Sequence, residues 1–418
     1  MVKSLTQQQR SQRQLRLLQL LTAFGPGLMV MLADTDAGSI ITVAQSGAQW
    51  GYAMILPQII LIPILFFIQE VTIRLGLATG KGHGEAIREV FGMKWAFVSV
   101  ITMFIASLGA LVTEFAGIAG VGALFGVPPW MSVSLATILL IAIGITGSYK
   151  RFEIIGISIG LLELFFIISA FAAHPNPAEM AKGLTSLPLT NTNYLFLLGA
   201  NVGAVIMPWM IFYQQGAYVD KGLSKEHLKG ARWDTAIGSV LTQAIMIVVV
   251  VAVGATIYKA HPGQSLNSIQ DVAGALEPFL GTFGAKIAFS IGMLGASVIA
   301  ALVVSIAASW GIGEIFGFKK SLNNSFKEAK SFYLIFTAAH IIGALLVIFS
   351  INLVSLTIDV EVLNAILLPI VLGFLLALEV KHLPDEWKMK GWHRWLTWGC
   401  SGVVIAFGLY MAVIAAGV

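Results

Sequence analysis

The stretch Gly25-Pro26-Gly27-Leu28-Met29-Val30-Met31-Leu32-Ala33-Asp34-Thr35-Asp36-Ala37-Gly38-Ser39 decides how this sequence folds. It lies inside a hydrophobic run from about residue 20 to 46, yet it carries two carboxylates and a helix-weakening glycine near the centre. A regular membrane helix would not choose these residues, because ionisable groups at bilayer depth are costly and mark function. If the helix is interrupted there, freed carbonyls and the Asp36 carboxylate face an internal cavity, since broken backbone is not tolerated against lipid. One of the two aspartates has a plainer use, capping a half-helix or pairing within the bundle, and Asp34 is the better candidate for it.

Outward from this stretch, the whole chain reads as membrane protein. Of 418 residues, 57% are hydrophobic and 11% charged, against roughly 25% charged in soluble proteins. That is too few charges to coat even one soluble domain, which excludes a soluble enzyme. The net charge of +4 is small and belongs to particular loops, so there is no nucleic-acid footprint. The single cysteine, Cys400, lies in an apolar stretch; it excludes an internal disulfide and a cysteine-based metal cluster. Met1 to Arg16 is polar and basic and leads into the first span without a small-residue cleavage pattern, so no removable signal peptide is expected.

A span takes about 20 apolar residues, and eleven such runs emerge, near 20–46, 51–76, 96–125, 130–147, 152–174, 193–217, 234–258, 280–316, 331–350, 353–379 and 395–417. Lys and Arg then set the orientation. With these spans, 22 basic residues fall on one side and 3 (Lys182, Lys259 and Lys286) on the other. The basic side is the cytoplasm, so the N-terminus is inside and Val418 outside. The longest outside segments, about His174 to Tyr194 and Lys259 to Pro278, read as ordered surface loops. No linker marks a second domain, so residues 1–418 form one transmembrane domain of a multi-pass plasma-membrane protein.

Acids inside spans are few: Asp34 and Asp36, Glu70, Glu114, Glu163, Asp359 and Glu361. Glu70 lies near the basic side, where it meets Arg74 at i, i+4. Span 6 carries a second irregularity, Asn201-Val202-Gly203-Ala204-Val205-Ile206-Met207-Pro208-Trp209. Pro208 removes a backbone donor, so carbonyls around Gly203 and Ala204 are released as ligands. Two broken helices opening consecutive groups of five spans are the mark of inverted-repeat transporters with a midplane site.

These residues resemble a known family. Gly25-Pro26-Gly27 with Asp36-Ala37-Gly38-Ser39, then Gly-Ala-Gln-Trp-Gly-Tyr at 47–52, Thr113-Glu114-Phe115-Ala116 and Gly203-Ala204-Val205-Ile206-Met207-Pro208 closely resemble the NRAMP divalent metal ion transporters. That family's first-helix motif is Asp-Pro-Gly-Asn and its sixth-helix motif Met-Pro-His. The resemblance covers at least the first 220 residues, with compatible span order beyond. It implies an all-α, LeuT-like fold of about eleven transmembrane helices. Inverted five-helix repeats would occupy 20–174 and 193–379, helices 1 and 6 would be discontinuous, residues 1–19 would be a cytoplasmic segment, and 395–417 an extra helix. It also implies a divalent metal ion as transported substrate, with no resident cofactor. Carried over by position, Asp36 matches the metal-binding aspartate, Ser39 stands at the asparagine, Ala204 at the carbonyl donor and Met207 at the thioether ligand. A carboxylate, a hydroxyl and a carbonyl bind any divalent cation, while a soft sulfur favours Mn, Fe or Co over Ca.

The departures matter as much. The family's sixth-helix histidine is Trp209, which does not titrate. The proton-pathway aspartate of span 3 is Glu114, the glutamate three residues later is Gly117, and span 9, Ser331 to Ser350, has no arginine. The expectation is weak or absent proton coupling, similar to the NRAMP-related branch that moves magnesium. Ser39 fits a cation that keeps water, as Mg does, while Met207 argues for Mn or Fe. Asp34 and Glu361 would enlarge the site for a partly hydrated ion.

Rival readings have less support. No His-Glu-x-x-His, Gly-x-Ser-x-Gly or Gly-x-Gly-Asp motif is present for an intramembrane enzyme. A sodium-coupled amino-acid transporter of the same fold would leave the amides of the first broken helix free for the substrate carboxylate, which Asp36 would repel. His83, His227, His261, His382 and His393 fall in loops or at helix ends, His174 ends span 5, and His340 sits in span 9 without a partner at ligand spacing, so each is assigned a surface or packing role. Oligomeric state, preferred ion and direction of transport stay open at this point.

Overall fold

The structure, a computed structural model, describes residues 19–20, 22–167, 175–349 and 353–416. The expectations for Met1 to Arg16, for the end of the fifth span with His174, for Ser350 and for Val418 fall outside these residues.

The first hydrophobic run is two helices, α1 (Pro26–Asp34) and α2 (Ala37–Trp50). Gly25, at φ 130°, turns the chain into α1, and Pro26 occupies the first helical turn, where its missing N–H costs nothing. A 3-10 turn, Gly51–Met54, then leads directly into α3 (Ile55–Thr79). There follow α4 (His83–Phe91), α5 (Met93–Leu124), α6 (Pro129–Gly144), α7 (Tyr149–Gly160) with the 3-10 turn Leu161–Leu164, and α8 (Pro177–Thr185). The sixth span is again two helices, α9 (Thr192–Val205) and α10 (Pro208–Asp220). The rest is α11 (Leu228–Val253), α12 (Ile269–Gly274), α13 (Glu277–Phe316), α14 (Lys330–Ile348), α15 (Leu353–Lys381) and α16 (Gly391–Ala415).

Among the described residues, 8 helical runs are long and apolar enough to cross a bilayer. Every one of the eleven expected spans is represented once the interruptions are followed. The first and second run together through the Gly51–Met54 turn, the fourth is the shorter α6, and the fifth contributes α7 and the turn after it. Three stretches expected as loops contain helices instead. On the basic side α4 follows the second span; on the other, α8 starts from Asn176, whose Oδ1 accepts the Ala178 N–H at 3.0 Å, and α12 starts from a Ser268/Asp271 capping box. Six to nine residues are too short to show as apolar runs, and a side-chain cap announces only α8 and α12.

The two broken helices cross at the centre. The half-helix α1 packs against α10, α11, α13 and α7, and α2 against α9, α11, α15 and α5. Polar contacts sort the loops by end. At one end Lys221 Nζ donates to the Phe24 carbonyl at 2.6 Å, Arg88 to that of Ile315 at 2.8 Å and Arg74 to that of Trp387 at 2.9 Å, and Lys320 pairs with Glu85 at 3.3 Å. At the other, the Leu266 N–H donates to Gln45 Oε1 at 2.8 Å and the Tyr194 hydroxyl to the Ala53 carbonyl at 3.1 Å. The lysine- and arginine-rich loops therefore share one end of the bundle. Outward-facing apolar side chains, such as Leu135 and Ile138, each 69% exposed, suit lipid as the solvent.

Candidate metal site

The break in the first span is built on the N-terminus of α2. Asp36, extended at φ −75° and ψ 173°, is its N-cap, and Oδ1 accepts the Ser39 N–H at 2.6 Å. Glu114 of α5 reaches the same helix end, where Oε2 accepts the Ala37 N–H at 3.2 Å, and its carboxyl lies against that of Asp36. Free amides and the helix dipole hold both carboxylates there. The capping role expected of Asp34 thus belongs to Asp36, because of the two aspartates only Asp36 stands directly before α2 and caps it. Capping uses one oxygen, and Asp36 Oδ2 is buried without a hydrogen-bond partner.

The break in the sixth span supplies the facing wall. The Ala204 carbonyl would meet the N–H of residue 208 in a continuous helix, and Pro208 has none. Ser39 Oγ donates to that carbonyl instead, at 2.7 Å, joining the two breaks. Met207, at φ −104° and ψ 143°, leads into α10; its N–H lies 3.5 Å from the Met210 sulfur, and its own sulfur accepts the Trp209 indole N–H at 3.1 Å. Gly203 serves a packing purpose as well: a Cβ there would strike the Glu361 carbonyl oxygen and lie 2.8 Å from Ala365 N.

Close approach of α15 brings Glu361 into the cluster. Its Oε2 accepts from Asn364 Nδ2 at 2.9 Å, while Oε1 has no partner and rests against Gly38, beside Thr113 Oγ1 and Asp36 Oδ1. Glu163, which sequence reasoning singled out as a buried acid but did not place, faces the same break from the turn after α7 and interacts with Thr35, Asp36 and Asp34. Its depth within span 5 was the one available signal. Asp359 lies on an exposed face of α15 and does not join. Asp34, Asp36, Glu114, Glu163 and Glu361 are fully buried, and among the described residues no Lys, Arg or His is one of their interaction partners. Among the described residues no three His, Cys, Asp or Glu side chains converge to hold a metal by themselves. Binding here would need a mixed set of carboxylate, hydroxyl, carbonyl and thioether donors.

The departures from the NRAMP pattern have physical consequences. A Cβ at Gly117 would lie 2.6 Å from Ala37 Cβ and 2.7 Å from Ser297 Oγ, so no glutamate fits there. Trp209 is fully buried and occupied with the Met207 sulfur. In α14 the buried imidazole of His340 lies 2.9 Å, through Nδ1, from the Phe336 carbonyl and packs edge-on to the Phe115 ring.

At the basic end the start of α1 is tied down by polar contacts. Asp234 of α11 accepts the N–H groups of Gly25 at 3.0 Å, Gly27 at 2.7 Å and Leu28 at 3.1 Å. Lys221, holding the Phe24 carbonyl, also pairs with Glu153 of α7 at 2.9 Å. Away from the breaks, His393 pairs with Glu70 at 2.6 Å, a carboxylate that also meets Arg74 at 2.8 Å and Arg232 at 3.0 Å.

A buried polar point where two broken spans meet, with one half-helix held to α11 by three hydrogen bonds, is the arrangement of an inverted-repeat membrane transporter. Two solved structures share the architecture. An Eremococcus coleocola manganese transporter in complex with an aromatic bis-isothiourea substituted compound matches with a TM-score of 0.76 at 18% identity, over 94% of this chain and 86% of that one. MhsT in complex with L-phenylalanine matches at 0.62 with 16% identity, over 93% and 97%. The fold is LeuT-like, with inverted five-helix repeats and discontinuous helices 1 and 6. Residues 27–414 match the Nramp family, described as natural resistance-associated macrophage protein-like, and the chain belongs to that family. The divalent metal cation transporter MntH of Klebsiella pneumoniae subsp. pneumoniae is 25% identical over 297 residues, 69% of this chain and 70% of that protein. MntH of Staphylococcus saprophyticus is 26% identical over 279 residues, 63% and 62% of the two chains.

Proposed function

We propose that this protein is a secondary transporter that carries divalent metal cations, Mn2+, Mg2+ or Fe2+, across the plasma membrane by alternating access. The ion would lie between the two breaks, held by Asp36, Ser39, the Ala204 carbonyl and Met207, with Asp34, Glu114, Gly203, Trp209 and Glu361 around it. The observation that carries this reading is the convergence of Asp36, Ser39 and the carbonyl freed by Pro208, linked at 2.6 and 2.7 Å. Family membership and the divalent metal cation transport named for the MntH relatives support it. Repeats at 20–174 and 193–379 with an extra helix at 395–417, and an N-terminus in the cytoplasm with Val418 outside, complete the proposal. The asymmetry of basic loops supports that orientation.

The test is uptake of Mn2+, Mg2+ and Ca2+ into proteoliposomes by the wild type, Asp36→Ala and Met207→Ala. Asp36→Ala should abolish uptake, and Met207→Ala should lose preference for Mn2+ over Mg2+; uptake unchanged in Asp36→Ala overturns the site. Proton coupling would be weak or absent, in keeping with Gly117, Trp209 and an α14 without arginine. Metal-driven acidification at zero membrane potential, with leak controls, would contradict this. Amino-acid transport has less support, because the α2 amides that would hold a substrate carboxylate are taken by Asp36 and Glu114. Competition of amino acids with metal uptake would revive it.

A further inference from the structure

The start of α16 presents cations and exposed indoles on the outside of the bundle. A cavity of about 530 Å3 opens there, lined by Met389, Lys390, Gly391, Arg394, Trp395 and Trp398. No carboxylate lines it, and among the described residues neither Lys390 nor Arg394 is in a salt bridge. The acids just before them in the chain are engaged elsewhere, Asp385 with Lys388 at 2.7 Å and Glu386 with Lys225 at 3.2 Å. Arg394 stands over the Trp398 ring, 5.4 Å from its centroid, and this contact orients the guanidinium.

Neighbouring spans hold the cavity in shape. The Met389 N–H donates to Glu379 Oε1 of α15 at 3.0 Å, and His393, between the two cations in the chain, pairs with Glu70 of α3 at 2.6 Å. A second basic cavity, between α3 and α11, differs in one respect: of its Lys229 and Arg232, the arginine is already held by Glu70 at 3.0 Å. Beyond the cations the surface of α16 is apolar. Trp395, Trp398, Gly402, Leu409 and Val413 are all exposed and follow one another by three, four or seven residues, so they share one face of the helix. At Gly402 no atom lies within 4 Å of where a Cβ would stand, which leaves a shallow lane on that face.

Positive charge at the rim of an outward apolar face matches a molecule with an anionic head and a hydrocarbon tail. A planar guanidinium beside an ammonium suits phosphate oxygens, and basic pockets at the ends of membrane helices are settings for anionic headgroups. We propose that Lys390 and Arg394, with Trp395 and Trp398, bind the phosphodiester headgroup of an anionic phospholipid whose chains run along the exposed face of α16. The inference goes beyond the transport reading and depends neither on the ion carried nor on the metal site.

The full-length protein, purified in detergent, is titrated with phosphatidylglycerol, phosphatidylcholine or glycerol 3-phosphate, with retained lipid counted by native mass spectrometry and Tm followed in parallel. Phosphatidylglycerol should be retained and should raise Tm, whereas phosphatidylcholine and glycerol 3-phosphate should do neither. A basic side chain near the headgroups contributes about fivefold in affinity, so Lys390→Ala with Arg394→Ala should weaken retention roughly 25-fold. Lys150→Ala with Arg151→Ala, a basic pair outside this cavity, should leave it unchanged. Equal retention of phosphatidylcholine, or wild-type retention in the Lys390 and Arg394 variant, overturns the site. Competition by glycerol 3-phosphate would make it a site for free phosphate and overturn the lipid. A dimer that Trp395→Ala converts to monomer, with no lipid retained by either, would put a second copy of the chain on this face instead. Trp395 is 81% exposed, so Trp395→Ala repeats the test if the double variant fails to fold, and it too should lose retained phosphatidylglycerol.

Discussion

Trp209 and Met207 are two residues apart, and the indole N–H spends its hydrogen bond on the thioether at 3.1 Å. A metal ion that draws on the Met207 sulfur must compete with that donor. Removing a hydrogen bond of about 1 kcal/mol changes an equilibrium roughly fivefold. Trp209→Phe keeps the aromatic volume, so Cd2+ affinity measured by calorimetry should rise about that much relative to Mg2+. An unchanged ratio would mean that the sulfur does not touch the ion. Asp36 stands out in the sequence as a mid-span carboxylate, whereas Met207 is proposed only through the NRAMP resemblance of the stretch that ends in Pro208. The sulfur's partner was not legible: Trp209 read only as a lost histidine, and its orientation depends on how α10 leaves the break.

At the scale of elements, α1 is the mobile candidate, nine residues long and joined to α2 only through Thr35 and Asp36. Its closed position depends on Asp234, which binds three of its amide N–H groups. Asp234→Ala leaves those donors unpaired in the closed state, at a cost of about 1–3 kcal/mol for a buried group, and should shift the protein toward opening at the basic end. In a Cys400→Ser background, a cysteine replacing buried Met31 should be protected from maleimide, and Asp234→Ala should expose it. Equal labelling in both would remove Asp234 from the gate. Nothing in the sequence announced this latch, since more than two hundred positions separate its partners.

The helix α4 adds a pH dependence. Its His83 is fully buried, and Nδ1 donates to Gln215 Oε1 at 2.9 Å, which fixes the neutral tautomer. Burial pushes its pKa down from 6.5 to about 4. Above about pH 6.5 the unfolded chain is neutral at this residue too, and stability is full. As pH falls from there toward 4, the unfolded chain gains a proton that the folded one refuses, and stability drops by up to about 3 kcal/mol. His83→Gln should therefore flatten the fall in Tm between about pH 7 and about pH 5. An identical pH slope in the variant would rule out His83 as its cause.

For the whole molecule, the order of spans was readable because hydrocarbon imposes length and apolarity on each one, and because loop charge records the side. The lateral packing was not, since every lipid-compatible face looks alike in sequence. Thus the short helices α8 and α12 were expected as loops, and Glu163 was seen as buried but could not be assigned to the first break. The hub at Glu70, where Arg74, Arg232 and His393 gather from three spans, was legible only in its i, i+4 part. Cysteines placed singly at Lys150 and Lys319, again with Cys400→Ser, should react with an impermeant thiol reagent only after the cell is opened. One placed at Ser265 should react from outside. The reverse pattern would invert the molecule in the membrane.

The carbonyl at Ala204 is available because of what stands four residues later. An alanine scan passes over position 204 in silence, and no side-chain exchange there deletes the oxygen. Its genetic determinant is Pro208, a residue that offers no donor atom of its own. Sequence comparisons that look for changes in ion preference only among side chains would miss this position, where one codon decides whether an oxygen is held by its helix or freed to the Ser39 hydroxyl.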